Sequence, residues 1–180
     1  ILVRHGESEH NAGLNEDNDS ALTKNGRKQA EYLGKKLKKQ KISKIYTSNL
    51  LRAKQTGEII SKIIKVPVKT CFEELNEYKG KHLKSFWKMF FNRRLKKLKR
   101  LLINISKEKE KKKKILIVAH GVTNRIILSH FLKINKRKLL PFHQRNTCIN
   151  IIEWEPDFKN WSLKCMNDTS HLPKKIKEKK

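Results

Sequence analysis

The chain has 180 residues, enough for about one domain that buries roughly 70% of its unfolded surface. It carries 44 Lys and Arg against 17 Asp and Glu, a formal charge of +27, yet no stretch approaches the ~20 apolar residues of a membrane span. Its three cysteines, Cys71, Cys148 and Cys165, are widely spaced and form no C-x-x-C pair, which gives no support to a disulfide framework or a zinc site and fits a reducing, cytoplasmic setting.

The first residue is Ile1, so the natural N-terminus is expected to lie upstream, with any targeting signal lost alongside it. Ile1-Leu2-Val3 reads as the end of a buried strand, followed by Arg4-His5-Gly6-Glu7 and a polar loop to residue 22. From Thr23, an expected N-cap, Ala30, Leu33, Gly34 and Leu37 share one helical face. Lys44 to Thr47 predicts a strand, and Ser48 is expected to cap a second helix carrying Ala53, Thr56, Ile59, Ile60, Ile63 and Ile64. Pro67 ends that helix, Val66 to Cys71 predicts a third strand, and Glu73 to Gly80 a loop.

Between Lys81 and Lys114 stand 15 Lys or Arg and two Glu. Trp87, Phe91, Leu95, Leu98, Leu102 and Ile105 recur there at steps of four and three, predicting one long amphipathic helix or two joined near Asn92. A membrane-surface helix is the alternative; a core-facing stripe with solvated lysines is favoured. A charged loop, Lys107 to Lys114, precedes the strand Ile115 to Ala119, after which come His120-Gly121 and a helix from Val122 to Lys133. Cys148 to Trp154 and Trp161 to Met166 predict two strands about a Pro156-Asp157 turn. The whole predicts a three-layer α/β/α sandwich with a mainly parallel central sheet and an antiparallel strand late. Residues 1–172 are expected to form a single domain, and 173–180 a basic, disordered tail.

The charge excess is 35 Lys to 9 Arg, and Ile and Asn are also abundant, as in a chain encoded by AT-rich sequence. No interleaved aromatics or nucleic-acid motif accompany the lysines, so a compositional origin is favoured, with weak polyanion binding as a by-product.

In such sheets, ligands bind beyond the carboxyl ends of the strands. Arg4-His5, Ser48 to Arg52, Glu77 and His120-Gly121 all follow predicted strands. Two arginines and two helix N-termini are good ligands for a phosphoryl group. A neutral imidazole can attack phosphorus, and a carboxylic acid can protonate the leaving oxygen. Metal hydrolysis is disfavoured, because there is no H-E-x-x-H and no His/Asp pair at ligand spacing.

The chain resembles the histidine phosphatase superfamily, the phosphoglycerate-mutase-like proteins. The resemblance rests on Leu2-Val3-Arg4-His5-Gly6-Glu7-Ser8 with Asn11, on Leu22-Thr23 with Gly26 and Gln29-Ala30, and on Ser48-Asn49-Leu50-Leu51-Arg52-Ala53 with Gln55-Thr56. Glu74-Leu75-Asn76-Glu77 with Gly80, and Val118-Ala119-His120-Gly121, complete it. It implies that His5 is the phosphorylated nucleophile and Glu77 the proton donor. Arg4, Asn11, Arg52, Gly121 and a cationic His120 would then bind the phosphate, with no metal and no cofactor. Glu73 and Glu74 are the competing acids, while His10, His82 and His143 are expected at the surface or rim. Only 42 residues separate Glu77 from His120, and Lys81-His82-Leu83-Lys84 departs from the family pattern. Both features favour a small phosphatase over a mutase, and the intact set of His5, Arg4, Arg52, Glu77 and His120 argues against a non-catalytic, polyanion-binding scaffold. Its substrate would be a phosphorylated small molecule or phosphoprotein.

Overall fold

A computed structural model of the protein describes residues 1–17, 19–78, 85–107, 114–135, 138 and 141–176, with the backbone alone for 85–92. In chain order the elements are β1 (Leu2–Arg4), α1 (Lys24–Leu37), β2 (Ile42–Ser48), α2 (Leu51–Ile64), β3 (Val68–Phe72), α3 (Ser85–Ser106), β4 (Lys114–Ala119), α4 (Gly121–Phe131), β5 (Ile149–Glu155) and β6 (Asn160–Asp168). The strands form one sheet in the order β3-β2-β4-β1-β5-β6. The first four run parallel, whereas β5 and β6 are both paired antiparallel.

Strand alternation divides the core in two. Leu2, Ile117 and Ala119 pack with Leu98, Leu102 and Ile105 of α3 and with Ile127 and Leu128 of α4. Val3, Ile45, Leu116 and Val118 belong instead to a cluster with Leu33 and Leu37 of α1 and Ala53 and Ile60 of α2. A helix pair on each face makes the three layers. Within the basic segment, Ser85–Ser106 form one continuous helix, and the apolar seam of its described side chains faces the core. Leu98 and Leu102 are fully buried, each contributing about 1.5–3 kcal/mol; the side chains of Trp87 and Phe91 lie outside the described residues.

Thr23 caps α1 as its sequence position predicts, its Oγ1 accepting from the Gly26 amide at 2.9 Å. Ser48 does not cap α2. It is the last residue of β2, and the backbone of Leu50 takes the cap position instead. Helix α2 ends at Ile64, with Lys65 left-handed at φ 57° just before Pro67. Lys133, Thr147, Lys159 and Asn167 also adopt positive φ.

The expectation of a disordered tail is corrected over Pro173 to Ile176. Lys174–Ile176 form a helical turn against α1, and the buried Gln29 amide donates to the Ile176 carbonyl at 3.0 Å. Residues 177–180 lie outside the described residues, as do Gly80, Lys81 to Lys84 and most of the charged loop before β4. Among the described residues no helix is long and apolar enough to cross a membrane.

Candidate active site

Because β1 and β4 are paired with Arg4 opposite Ala119, the next residue of each strand, His5 and His120, leaves the sheet beside the other. The His5 amide donates to the Ala119 carbonyl at 3.0 Å, and the two rings sit 4.9 Å apart with a 59° tilt. Both are almost wholly buried. Arg52, from the first turn of α2, completes the centre by donating from Nε to His5 Nε2 at 3.0 Å.

These contacts assign the tautomer of His5. Nδ1 lies 2.6 Å from the Gly6 carbonyl, which can only accept, so Nδ1 carries the proton and Nε2 the lone pair. Burial, followed by His120, Arg4 and Arg52, holds the His5 pKa well below the ordinary 6.5. His120 is likewise depressed, first by burial and then by Arg52, Arg4 and Arg94. Burial and then these positive charges bias the His120 imidazole towards its neutral form, against the expected cationic one.

Ser48 Oγ donates to Asn76 Oδ1 at 2.7 Å and accepts from the Leu50 amide, so its 2.8 Å contact with His120 Nε2 has the ring donating. The other ring nitrogen, Nδ1, is buried with no hydrogen-bond partner among the described residues.

Glu77 reaches this centre from the loop after β3. Its Oε1 accepts from the Val122 amide at 3.0 Å, in the first turn of α4. Burial raises its pKa above the ordinary carboxyl value of 4.5, against the opposing pull of Arg4, the Val122 amide and Arg52. Helix N-termini were expected to serve as phosphoryl ligands, but the first turn of α4 holds Glu77. That of α2 holds another carboxylate, Asp19 Oδ1, at 2.5 Å from the Leu51 amide.

Arg4 lies beside the centre and donates from a terminal nitrogen to the Gln144 carbonyl at 2.6 Å. Asn11 is exposed, but its Oδ1 receives Asn146 Nδ2 at 3.4 Å, and that same amide donates to the His5 carbonyl at 3.1 Å. Gly121 opens α4, where an added Cβ would meet Gln144 and Arg4 at 3.8–3.9 Å, ordinary contact, so sterics do not require glycine there. Glu7 points away, to Thr23 Oγ1 at 2.6 Å and Asn25 Nδ2 at 3.1 Å. His10 and His143 are exposed, and His82 lies outside the described residues.

Sequence reasoning missed three contributors: the relay role of Ser48, the 144–147 segment, and Arg94 of α3. Thr147, at φ 55°, donates its amide to the carbonyls of Arg4 and His5 at 3.1 and 3.2 Å. Its neighbour Asn146 is buried. No periodicity singles out these residues. Among the described residues no group of three or more His, Cys, Asp or Glu is placed to hold a metal ion.

Chemically, the arrangement offers a neutral imidazole lone pair, a cationic surround of Arg4 and Arg52, and a carboxyl biased towards its protonated form.

The profile of the histidine phosphatase superfamily (branch 1) matches residues 1–87 and 91–169. The uncharacterized phosphatase PhoE of Bacillus subtilis is 29% identical over 195 residues, 98% of this chain and 97% of that protein. The mitochondrial serine/threonine-protein phosphatase Pgam5 of Drosophila mojavensis is 31% identical over 97% of this chain, which spans 64% of its length. A probable phosphoglycerate mutase GpmB of Photorhabdus laumondii is 45% identical over 64 residues, 34% of this chain and 30% of that protein. Among solved structures, a phosphoserine phosphatase mutant from Entamoeba histolytica in complex with phosphoserine superposes with a TM-score of 0.76 at 25% identity, covering 96% of this chain and 98% of that one. A mycobacterial glucosyl-3-phosphoglycerate phosphatase shares the fold, with a TM-score of 0.74 at 20% identity over 93% of this chain and 98% of its own.

Proposed function

Since the chain belongs to the histidine phosphatase superfamily, we propose that it hydrolyses a phosphomonoester through a phosphohistidine formed on His5, without a metal ion. The observation that carries this reading is the tautomer of His5: the Gly6 carbonyl accepts a hydrogen bond from Nδ1–H, so Nε2 keeps its lone pair, which accepts from Arg52 Nε. That lone pair attacks phosphorus, the P–N bond forms as the ester P–O bond breaks, and the Glu77 carboxyl gives its proton to the departing oxygen. Water then attacks phosphorus, the Glu77 carboxylate takes its proton, and the P–N bond breaks with its electron pair returning to Nε2. Inorganic phosphate leaves. Arg4 and Arg52 neutralise charge on the equatorial oxygens, which is the main catalytic task in phosphoryl transfer. A phosphoryl dianion also reverses the field at His120, favouring proton uptake at Nδ1 and a hydrogen bond from that atom to phosphate.

The substrate class is a phosphate ester of an alcohol on a small molecule or a protein. The names of the phosphoserine phosphatase and serine/threonine-protein phosphatase relatives support it.

Phosphate release from an aryl phosphate in excess chelator tests the reading, together with acid-labile labelling of the enzyme. Both are expected in the native protein and absent in His5→Ala; a labelled, active His5→Ala would refute the nucleophile. Activity should decline as pH rises through the elevated pKa of Glu77, because the protonated carboxyl is the acid. Phosphate exchange between two positions of one substrate, without release, would instead indicate a mutase.

A further inference from the structure

We infer that Arg94 is the positioning residue of the proton donor: from α3 it grips the backbone of the loop after β3 and so sets where the Glu77 carboxyl stands. The inference rests on the reading of Glu77 as acid and base.

The loop has few ways to hold itself. It begins with one helical turn, Glu73–Leu75, closed by the Asn76 amide donating to the Glu73 carbonyl at 3.0 Å. Arg94 adds donors to three of the loop's carbonyls. One terminal nitrogen donates to the Glu77 carbonyl at 3.2 Å; the other donates to the carbonyls of Asn76 and, at 3.4 Å, Glu73. The guanidinium carbon lies 4.0 Å from the centre of the Tyr78 ring, a stacked cation–π contact on a buried side chain. Its neighbours Arg93, Lys96 and Lys97 are exposed, so Arg94 is the member of this basic run that turns inward.

The consequence falls on Glu77 itself. Its carbonyl is held by Arg94 from α3, and its carboxylate by the Val122 amide of α4. The preceding residue is fixed from a third side, where Thr123 Oγ1 donates to the Asn76 carbonyl at 2.8 Å. Glu77 is pinned at both ends between two helices. A lysine could keep the charge but not the planar fork that reaches several carbonyls while stacking on a ring.

The guanidinium faces backbone rather than the imidazoles, so its loss should damage the acid step more than the nucleophile. Two substrates separate these effects. An alkyl phosphate needs a proton on its leaving oxygen, whereas dinitrophenyl phosphate has a leaving group that departs as the anion. Single-turnover formation of the phosphoenzyme is measured on both. Arg94→Ala is expected to slow the alkyl substrate about 100-fold and the dinitrophenyl substrate about threefold or less, with KM nearly unchanged. Glu77→Gln is expected to discriminate in the same way, and the double variant to be no slower than Glu77→Gln alone. Arg94→Lys, which keeps the charge, is expected to show the same split in weaker form, and it carries the test if the alanine variant does not fold.

Equal losses on both substrates, or additive losses in the double variant, would overturn the role of Arg94 while leaving Glu77 in place. Failure of Glu77→Gln to discriminate would overturn the acid assignment, and the role of Arg94 with it.

Discussion

The loop after β1 and the loop after β3 each bring one titratable side chain, His5 and Glu77, to the same centre, yet they are held by different means. The loop carrying His5 is fastened through its backbone. The amides of Arg4 and His5 donate to the carbonyls of Cys148 and Ala119, and the Thr147 amide returns to Arg4 and His5. Gly6 also meets the first turn of α1 so closely that a side chain on it would collide with the Gly26 main chain, and one on Gly26 with the Glu7 main chain. The loop carrying Glu77 hangs instead on side chains, chiefly Arg94, Thr123 and Ser48, drawn from three other elements. His5 inherits the rigidity of the sheet, while Glu77 depends on a few long-range contacts that substitution can remove one at a time.

That contrast can be broken most forcefully at Gly26. A Cβ there would stand 1.9 Å from the Glu7 carbonyl oxygen, so Gly26→Ala should cost about 3 kcal/mol of stability, the upper end for overpacking. Urea denaturation reads the loss, and activity should fall on both substrate types; an unchanged midpoint with full activity would show the first loop to be looser than its contacts imply. Asn146→Ala removes one of two buried donors to the His5 carbonyl and should cost about 0.5–1.5 kcal/mol, with kcat lowered regardless of leaving group. Ser48→Ala takes away the acceptor of His120 Nε2 and one anchor of Asn76. About 1 kcal/mol is expected, and its kinetic effect should track the second loop by falling more heavily on alkyl phosphates.

Smallest near neutrality, and growing with acid, is a pH effect on stability. His5 and His120 are held neutral when folded but take up protons near pH 6.5 when unfolded. The unfolded state therefore binds more protons below that value, and stability falls as pH falls. Glu77 acts in the opposite sense: its raised pKa stabilises the fold at low pH, and that contribution is lost as pH rises through it. A double variant, His5→Asn with His120→Asn, should flatten the acid slope of the melting temperature; an unaltered slope would place its origin elsewhere.

The two loops also differ in how far they could be read in advance. His5, Arg52 and His120 follow strand-like runs, and parallel pairing brings such ends together without any detail of packing. The helix cap at Thr23 was equally legible, being a local bargain between a hydroxyl and an amide three residues on. Ser48 misled because the same hydroxyl that can cap a helix can also end a strand and relay a hydrogen bond to an imidazole. Arg94 was illegible for a different reason. It stands in a segment that holds fifteen basic residues, and only the approach of α3 to the loop after β3 distinguishes it from its solvated neighbours. Asn146 likewise acquires meaning only when β5 is laid against β1.

The left-handed residues bear on the protein's composition. Among the described residues five non-glycine positions have positive φ, and three are lysines: Lys65, Lys133 and Lys159. An L-residue there gives up about 1–2 kcal/mol, which glycine would recover. Lysine thus stands even where the backbone disfavours it. Replacing the three with glycine would yield a less basic, more stable protein, and a clean background for asking whether any of the remaining charge has work to do.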